Sequence, residues 1–334
     1  MSLHQVSSLT FAALLSLAGG ARAGTDPLSA QVQAVFQRSA LAVVKIEAED
    51  DGGQLSGSGF FIDPNGTIFT NYSVGGESHD IIVSSGASRY PATRIAADPR
   101  SGLAILKIEA QKTPFLPLGK SSGLSVGSMV MTVGYPLDLP LTPGVGCVGG
   151  FGISSGDRFF AVSHIRANVA IQAGEGGAPL LDMDGEVVGI LESSLDGGAG
   201  CFVLPIEAAE KVHGDVMRFG EVRPGWLGIR FDNTGEEVSG SNIEVIGFVP
   251  ESPAEKSGVQ AGDLILKVGD RKISSLEDVL DAAFYLTAGD EVPLTLSRAG
   301  QTMEIKVVPA PNPLAPEEQV VQVPIFNLSI RLGK

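Results

Sequence analysis

Few side chains in this sequence could supply the base or the nucleophile of a catalytic site. Its four histidines are scattered, and none belongs to a metal-binding pattern such as H-E-x-x-H, so we predict neither a metal nor a cofactor. A histidine activates a hydroxyl only from within about 3 Å, and no pattern holds His79 or His164 at such a position. We interpret both as surface or strand histidines. Ser193 and Ser194 follow a predicted strand as loop residues, and the nearest lysine, Lys211, falls in a predicted helix.

The loop at residues 174–180 has the sequence G-E-G-G-A-P-L. It resembles the nucleophile loop of trypsin-like serine proteases, whose pattern is G-D/N-S-G-G-P-L. In this comparison Gly176 occupies the serine position and Glu175 the Asp/Asn position. The serine hydroxyl attacks after a base takes its proton, and glycine has no side chain that could attack. The loop therefore resembles the sequence pattern of a nucleophile loop but lacks the serine that would be the nucleophile.

Two further segments extend this resemblance to the HtrA/Deg family of exported serine proteases. Residues 57–74 read G-S-G-F-F-I-D-P-N-G-T-I-F-T-N-Y-S-V. They resemble the family pattern G-S-G-F-I/V-I followed by G-x-I-L/V-T-N-x-H-V, and Ser73 occupies its histidine position. Residues 98–107 read D-P-R-S-G-L-A-I-L-K and resemble D-x-x-x-D-L-A-L/V-L-K, with Gly102 in the aspartate position. The three segments keep the family's order and spacing, which implies a retained fold in which the base, the orienting acid and the nucleophile are absent.

These replacements predict that the protein is not an enzyme. Loss of a whole triad lowered turnover by about 10⁶ in a studied subtilisin, a loss too large for a biological protease. The carboxylate of Glu175, if it lay beside the oxyanion site, would also oppose the negative charge that develops there. Two alternatives remain: a serine endopeptidase with a rearranged site, and a structural scaffold subunit of a larger assembly.

Composition and the N-terminal segment restrict the partners and the location. The chain has 23 Lys and Arg against 38 Asp and Glu, a net charge of −15, which disfavours nucleic acid as a partner because phosphates are repelled.

Residues 1–23 resemble a signal peptide, with an apolar stretch from Leu9 to Ala18 before the small-x-small site Ala21-Arg22-Ala23. No basic residue precedes that stretch, and a fraying N-terminal helix is the alternative. No later stretch is long and apolar enough to span a bilayer, so we predict an exported protein, periplasmic or extracellular.

Short strands at close spacing, separated by turns that use many of the 43 glycines and 20 prolines, predict a mainly β fold of barrels or sandwiches. The family resemblance specifies two trypsin-like six-stranded β-barrels followed by a PDZ domain. A short amphipathic helix is expected near residues 28–38. We place the double barrel at 24–220 with a linker helix at 205–219, the PDZ domain at 221–309, and a C-terminal tail at 310–334.

Cys147 and Cys201 both fall in predicted strands. An oxidising compartment permits a disulfide between them, but a small buried thiol is the usual outcome for a strand cysteine. The sequence alone does not place their Cα atoms within bonding range, so both outcomes stay open.

Residues 223–229, R-P-G-W-L-G-I, resemble the carboxylate-binding loop and first groove strand of an HtrA-type PDZ domain. Such a loop directs backbone N–H groups at a C-terminal carboxylate, and the peptide adds a strand beside it. The stretch Ser274-Ser275-Leu276-Glu277 is interpreted as a capping box that begins a helix reaching about residue 286. The predicted peptide-binding residues are Trp226, Leu227, Gly228, Ile229, Leu276, Val279, Leu280 and Ala283.

Together these features predict an exported pseudoprotease of HtrA type whose partners are polypeptides or protein C-termini. The alternative for the PDZ domain is a fold kept for packing alone. The family resemblance also implies a possible homo-oligomer, because HtrA-like relatives are commonly trimers.

Overall fold

The computed structural model describes residues 26–155, 158–195, 199–231 and 243–311. The predicted signal peptide and nearly all of the predicted C-terminal tail lie outside these ranges. Helix α1, Pro27–Ser39, begins at a proline and buries Val35 against the barrels. A proline suits the first turn of a helix because its missing N–H would have no partner there. The helix expected near 28–38 is therefore present.

The first barrel closes six strands in the order β1-β2-β3-β6-β5-β4. Alternating side chains point inward, so residues such as Phe61, Ile68 and Leu106 fill its interior. A short helix, α2 at Tyr72–Gly75, follows the third strand directly. The strands are β1 Val43–Asp50, β2 Gly53–Phe61, β3 Thr67–Asn71, β4 His79–Ser85, β5 Ser88–Asp98 and β6 Leu103–Ile108.

The second barrel closes in the order β10-β11-β12-β9-β8-β7. Its interior is packed by residues that include Val130, Ile165 and Val203. Both cysteines of the chain are free thiols, and Cys201 lies buried in this interior. The strands are β7 Met129–Gly134, β8 Thr142–Ser155, β9 Arg158–Ala167, β10 Pro179–Leu181, β11 Val187–Ser194 and β12 Cys201–Pro205. The mainly β fold with two six-stranded barrels is confirmed.

A third apolar cluster joins the two barrels. It combines Phe60 and Leu103 of the first barrel with Met131 and Leu181 of the second. Helix α3, Ile206–Phe219, packs its apolar face on the same cluster and ends at Gly220, whose φ is 77°. Glycine accepts this left-handed conformation without the steric cost that a Cβ would add. The cluster fixes the seam between the barrels, where the loops of the predicted site meet.

The third module is a sheet in the order β13-β14-β15-β17-β18, with β16 paired to β15. Its helix α5 begins one residue later than the predicted capping box implies, because Ser275 is the N-cap and exchanges hydrogen bonds with Asp278. A serine followed three residues later by a carboxylate satisfies two free N–H groups at a helix start. The elements are β13 Ile229–Phe231, β14 Ile243–Phe248, α4 Pro253–Lys256, β15 Leu264–Val268, β16 Arg271–Lys272, α5 Leu276–Phe284, β17 Val292–Arg298 and β18 Gln301–Val307.

This module is tied to the double barrel by buried polar contacts. Asp215 of α3, which is 3% exposed, accepts hydrogen bonds from Arg223 N at 2.9 Å and from Thr287 Oγ1 at 2.8 Å. Asp281 of α5 accepts one from Ser163 N of β9 at 2.7 Å. Helix α5 therefore turns one face to the barrels. Within the described ranges, no helix is long and apolar enough to cross a membrane.

Candidate functional site

Ser58 positions the loop at 174–180 against the first barrel. Its hydroxyl donates to Gly174 O at 2.8 Å and accepts from Tyr135 N at 3.0 Å, and its N–H donates to Gly176 O at 2.8 Å. Gly177 has a φ of 84°, and a Cβ there would lie 2.3 Å from Ser58 O. The loop thus requires glycine at 177, and one buried serine bonds two of its backbone carbonyls and also the N–H of Tyr135.

Replacement of Ser58 by alanine is expected to destabilise the protein by about 2 kcal/mol, because it leaves a donor and an acceptor unpaired at the seam. Urea unfolding followed by circular dichroism would measure this loss. Ser88→Ala, at an exposed position of β5, is the matched control and should change the free energy of unfolding by less than about 0.5 kcal/mol. Equal effects of the two substitutions would contradict the role of Ser58.

The structure places Ser73, Gly102 and Gly176 next to one another around Asn71. Ser73 is exposed in α2, and the N–H of the residue before it, Tyr72, donates to Gly102 O at 2.5 Å. A Cβ on Gly176 would lie 2.7 Å from Asn71 Nδ2. The three positions that the resemblance pairs with the catalytic triad therefore lie together where the two barrels meet.

A carboxylate from another strand fills the space beside Gly102. A Cβ built on Gly102 would lie 2.2 Å from Glu192 Oε2 and 2.3 Å from Glu192 Oε1. Glu192 belongs to β11, and its side chain is 15% exposed. The family resemblance did not identify this residue. The only signal was an acidic residue directly after the apolar run 187–191, and that signal does not reveal which strand it faces.

His164 lies behind Glu192. It is 1% exposed on β9, its Nδ1 is 2.9 Å from Val162 O, and its Nε2 is 3.9 Å from Glu192 Oε2. Its ring stacks on Phe160 with 4.0 Å between the centroids. His79 is exposed on β4 and pairs with Asp80 at 3.0 Å.

Glu175 turns inward instead of facing the cleft. Its side chain is 4% exposed, and Oε2 accepts from Gln172 N at 2.7 Å. Burial raises the pKa of this carboxyl, and burial, together with the negative charge of Glu175, raises the pKa of the nearby Cys201 thiol to about 12. The carboxylate of Glu175 therefore does not stand in the open cleft, and the repulsion that we expected it to exert at an oxyanion site does not arise in that way.

The raised pKa of Glu175 predicts a pH dependence of stability. The folded state holds the proton to higher pH than the unfolded chain does, so this stabilising contribution is present at acid pH and is lost as pH rises from 4.5 through the folded-state pKa. Glu175→Gln keeps an acceptor for Gln172 N and removes the charge. The free energy of unfolding of Glu175→Gln in urea, relative to that of the unaltered protein, should then increase as pH rises toward 7. A difference between the two proteins that does not change with pH would contradict the assignment.

In the described part of the chain, Lys45 and Lys211 pair with carboxylates and not with a serine. Ser56 Oγ donates to Asp138 Oδ1 at 3.1 Å, and Lys45 Nζ lies 3.0 Å from the same oxygen. Burial acts to lower the pKa of Lys45, but its hydrogen bonds to Asp138 and Glu47 outweigh this and raise it. A lysine must be neutral to act as a base. Lys211 is equally engaged, in a 2.5 Å ion pair with Asp215.

Across the described part of the chain, no group of three or more His, Cys, Asp or Glu side chains could hold a metal ion.

The loop before β13 presents backbone groups at the end of a groove. The carbonyls of Leu227 and Gly228 accept from Ala254 N and Val249 N at 3.1 and 2.9 Å. The N–H groups of Leu227 and Gly228 have no acceptor among the residues described. Gly228 has a φ of 73°, and the Trp226 ring lies against it, 2.8 Å from the position of a Cβ. A terminal carboxylate is the kind of acceptor that such free N–H groups bind.

The other wall of the groove is α5. Leu276, Leu280 and Ala283 stand at i, i+4 and i+7, so they share one face. Leu280 is 49% exposed, Ala283 is exposed and Leu276 is half-buried. Val279 instead contacts the PDZ core. Ile229 begins β13, which among the residues that the structure describes is an edge strand of the sheet with one side free for strand addition.

Comparison with known proteins agrees with this architecture. Residues 57–190 match the family described as trypsin-like peptidase domain, and residues 225–308 match the PDZ domain family. The chain is 33% identical over 268 residues to a probable periplasmic serine endoprotease DegP-like of Ectopseudomonas mendocina, covering 76% of this chain and 56% of the relative. It is 30% identical over 271 residues to the protein of that description from Chlamydia pneumoniae, covering 78% of this chain and 56% of the relative. The chain thus spans little more than half the length of these relatives.

Solved structures show the same fold. The HtrA-type protease AlgW with a tripeptide superposes with a TM-score of 0.69 at 24% identity, covering 86% of this chain and 99% of that one. The serine endoprotease from Yersinia pestis superposes with a TM-score of 0.60 at 26% identity, covering 84% of this chain and 97% of that one. The agreement extends over both barrels and the third module.

Proposed function

Because this chain belongs to the HtrA family, which joins a trypsin-like double barrel to a PDZ domain, we propose that it binds polypeptides without hydrolysing them. The observation that supports the proposal is that Ser73, Gly102 and Gly176, which the resemblance pairs with the histidine, aspartate and serine of a triad, lie next to one another. A serine protease needs the nucleophile and the base in hydrogen-bond contact. The burial of His164 against Phe160 and the pairing of Lys45 with Asp138 support the absence of a base at this site.

Peptide binding is assigned to the PDZ groove. The free N–H groups of Leu227 and Gly228, the edge strand β13 and the open face of α5 support it. These features are what strand addition requires: an unpaired edge, apolar pockets for alternate side chains and a carboxylate-binding loop. We propose that the ligands are polypeptides or protein C-termini with apolar side chains, since Leu276 and Leu280 form the groove wall.

We further propose that the protein acts outside the cytoplasm. The relatives are named as periplasmic proteins, and residues 1–23 have the pattern of an export signal. A homo-oligomer is compatible with this role, and the mass in solution at several concentrations would establish the assembly.

The absence of hydrolysis is tested with casein. The purified full chain, produced in a host free of its own HtrA proteases, should release no more acid-soluble peptide than a protein-free blank over a day. An inhibitor of serine proteases should have no effect on this baseline. A peptide-releasing activity that copurifies with the protein, and that is absent from a Glu192→Gln or Ser73→Ala variant, would instead support an endopeptidase with a rearranged site.

A further inference from the structure

The former catalytic cleft contains buried acceptor atoms without donors. Within the ranges that the structure describes, Asn71 Oδ1, Glu192 Oε1 and His164 Nε2 are buried and make no hydrogen bond. His164 Nδ1 lies against a carbonyl oxygen, which can only accept a hydrogen bond, so Nδ1 carries the ring proton. In the neutral ring Nε2 is then an acceptor and not a donor. The 3.9 Å between His164 Nε2 and Glu192 Oε2 is too long for a hydrogen bond.

A carboxylate oxygen that is buried without a hydrogen bond, as Glu192 Oε1 is, is costly because its lost hydration is not replaced by a donor. Among the described residues, no lysine or arginine pairs with Glu192. Buried polar groups in folded proteins are almost always satisfied, so each exception calls for an explanation. The explanation that fits this place in the fold is a partner that arrives with the bound polypeptide.

Ser73, which stands where the family pattern has a histidine, identifies the part of the cleft that a donor group of the bound polypeptide enters. In a triad the imidazole lies between the acid and the nucleophile and donates its N–H to the carboxylate. Serine is much shorter than histidine, and Ser73 is exposed. The carboxylate of Glu192 therefore has neither the donor nor the ring that would cover it on the cleft side, and its 15% exposure makes it reachable from solvent.

We propose that Glu192 binds the ammonium or guanidinium group of a lysine or arginine side chain from a polypeptide lying across the former catalytic cleft. The cation takes the place of the missing imidazole N–H and pairs with the carboxylate, and Asn71, whose Nδ2 donates to Glu192 O at 3.4 Å, carries a second unpaired acceptor in Oδ1. Lysine and arginine carry only donors, which complements a site that carries only free acceptors. The net charge of −15 also attracts cationic segments over a longer range.

The test uses two fluorescent nonapeptides of alanine and valine that differ only at the centre, lysine in one and norleucine in the other. Both termini are blocked, so the PDZ groove has no carboxylate to bind. Fluorescence anisotropy with the full chain should show that the lysine peptide binds roughly tenfold more tightly, the effect of one charge-assisted hydrogen bond. This preference should fall to about one in Glu192→Gln and should weaken as salt is added.

Glu186→Gln is the matched control, because Glu186 is an exposed carboxylate of the same barrel, and it should keep the preference. Urea unfolding of Glu192→Gln should show a stability equal to or above that of the unaltered chain, since an unpaired buried charge is removed. Equal binding of the two peptides by the unaltered chain, or a preference unchanged in Glu192→Gln, would overturn the proposal. Mass analysis of the peptides after titration separates this outcome from a failure of the proposed function, because a hydrolase would return fragments.

Discussion

Introducing histidine at position 73 and serine at position 176 is expected to give the protein measurable peptidase activity, and adding aspartate at 102 is expected to lower it again. The first two changes supply the base and the nucleophile. The acid is already present, since the carboxylate of Glu192 lies where a side chain on Gly102 would be. With a triad contributing about 10⁶ to turnover, even an imperfect reconstruction should cleave a fluorogenic peptide at least about 100-fold faster than the unaltered chain.

Aspartate at 102 conflicts with Glu192 in two ways. Its Cβ would lie 2.2 Å from Glu192 Oε2, and the backbone φ of 76° favours glycine. Two carboxylates forced together also disfavour each other's charged form. We expect the triple variant S73H/G102D/G176S to be roughly tenfold slower than the double variant S73H/G176S, by the usual cost of displacing a catalytic group.

A fourth variant provides the control for this series. Adding Glu192→Ser to the triple variant removes the competing carboxylate and should recover at least the activity of the double variant. Single substitutions at 73 or 176 should remain at the level of the unaltered chain, because base and nucleophile act as a unit. A triple variant faster than the double variant would contradict the assignment of Glu192 to the acid position.

Amidation of the C-terminus of an apolar peptide ligand is expected to weaken its binding by about 100-fold, because the carboxylate loses its charge-assisted bonds to the backbone N–H groups of Leu227 and Gly228. The Gly228→Asp variant should lose binding of the free-carboxylate peptide to a similar degree. Its Cβ would lie 2.4 Å from Ser252 Cβ and 2.8 Å from the Trp226 ring, and its charge would oppose the ligand's. Anisotropy titrations of the labelled peptides would measure both effects.

Gly300→Asp is the matched control for Gly228→Asp. Gly300 also has a positive φ, 81°, but a Cβ there would meet nothing within 4 Å. It lies in the turn between β17 and β18, at the far edge of the sheet from β13. Both variants therefore place a side chain on a backbone with positive φ, but only Gly228→Asp places it beside the peptide-binding groove. Equal binding of amidated and free peptides would show that the loop does not bind a carboxylate.

Local patterns in the sequence predicted the elements that carry the site. The apolar periodicity of α3 and the glycine that ends it specified the linker helix, because both signals act within one or two turns. The segments around Ser73, Gly102 and Gly176 kept their order, and the resemblance fixed which of them share a cleft. The capping box was placed one residue early, because Ser274 and Ser275 are adjacent and either can cap.

The features that the sequence did not reveal depend on contacts between distant strands. Glu192 fills the space at Gly102 only because β11 of the second barrel contacts β3 of the first across the seam, where Asn71 Nδ2 donates to Glu192 O. Glu175 turns inward because Gln172 N offers a hydrogen bond within the loop, a choice of side-chain direction that spacing does not encode. Neither the position of the Glu192 carboxylate nor the inward direction of Glu175 follows from residue type alone.

The most direct test of the account is one experiment that reads binding and cleavage together. A labelled apolar peptide with a free C-terminus is titrated with the full chain, held at saturation for a day and then analysed by mass spectrometry. The account predicts saturable binding and recovery of the peptide at its original mass. Fragments that appear in proportion to the amount of protein, or no saturable binding at all, would contradict it.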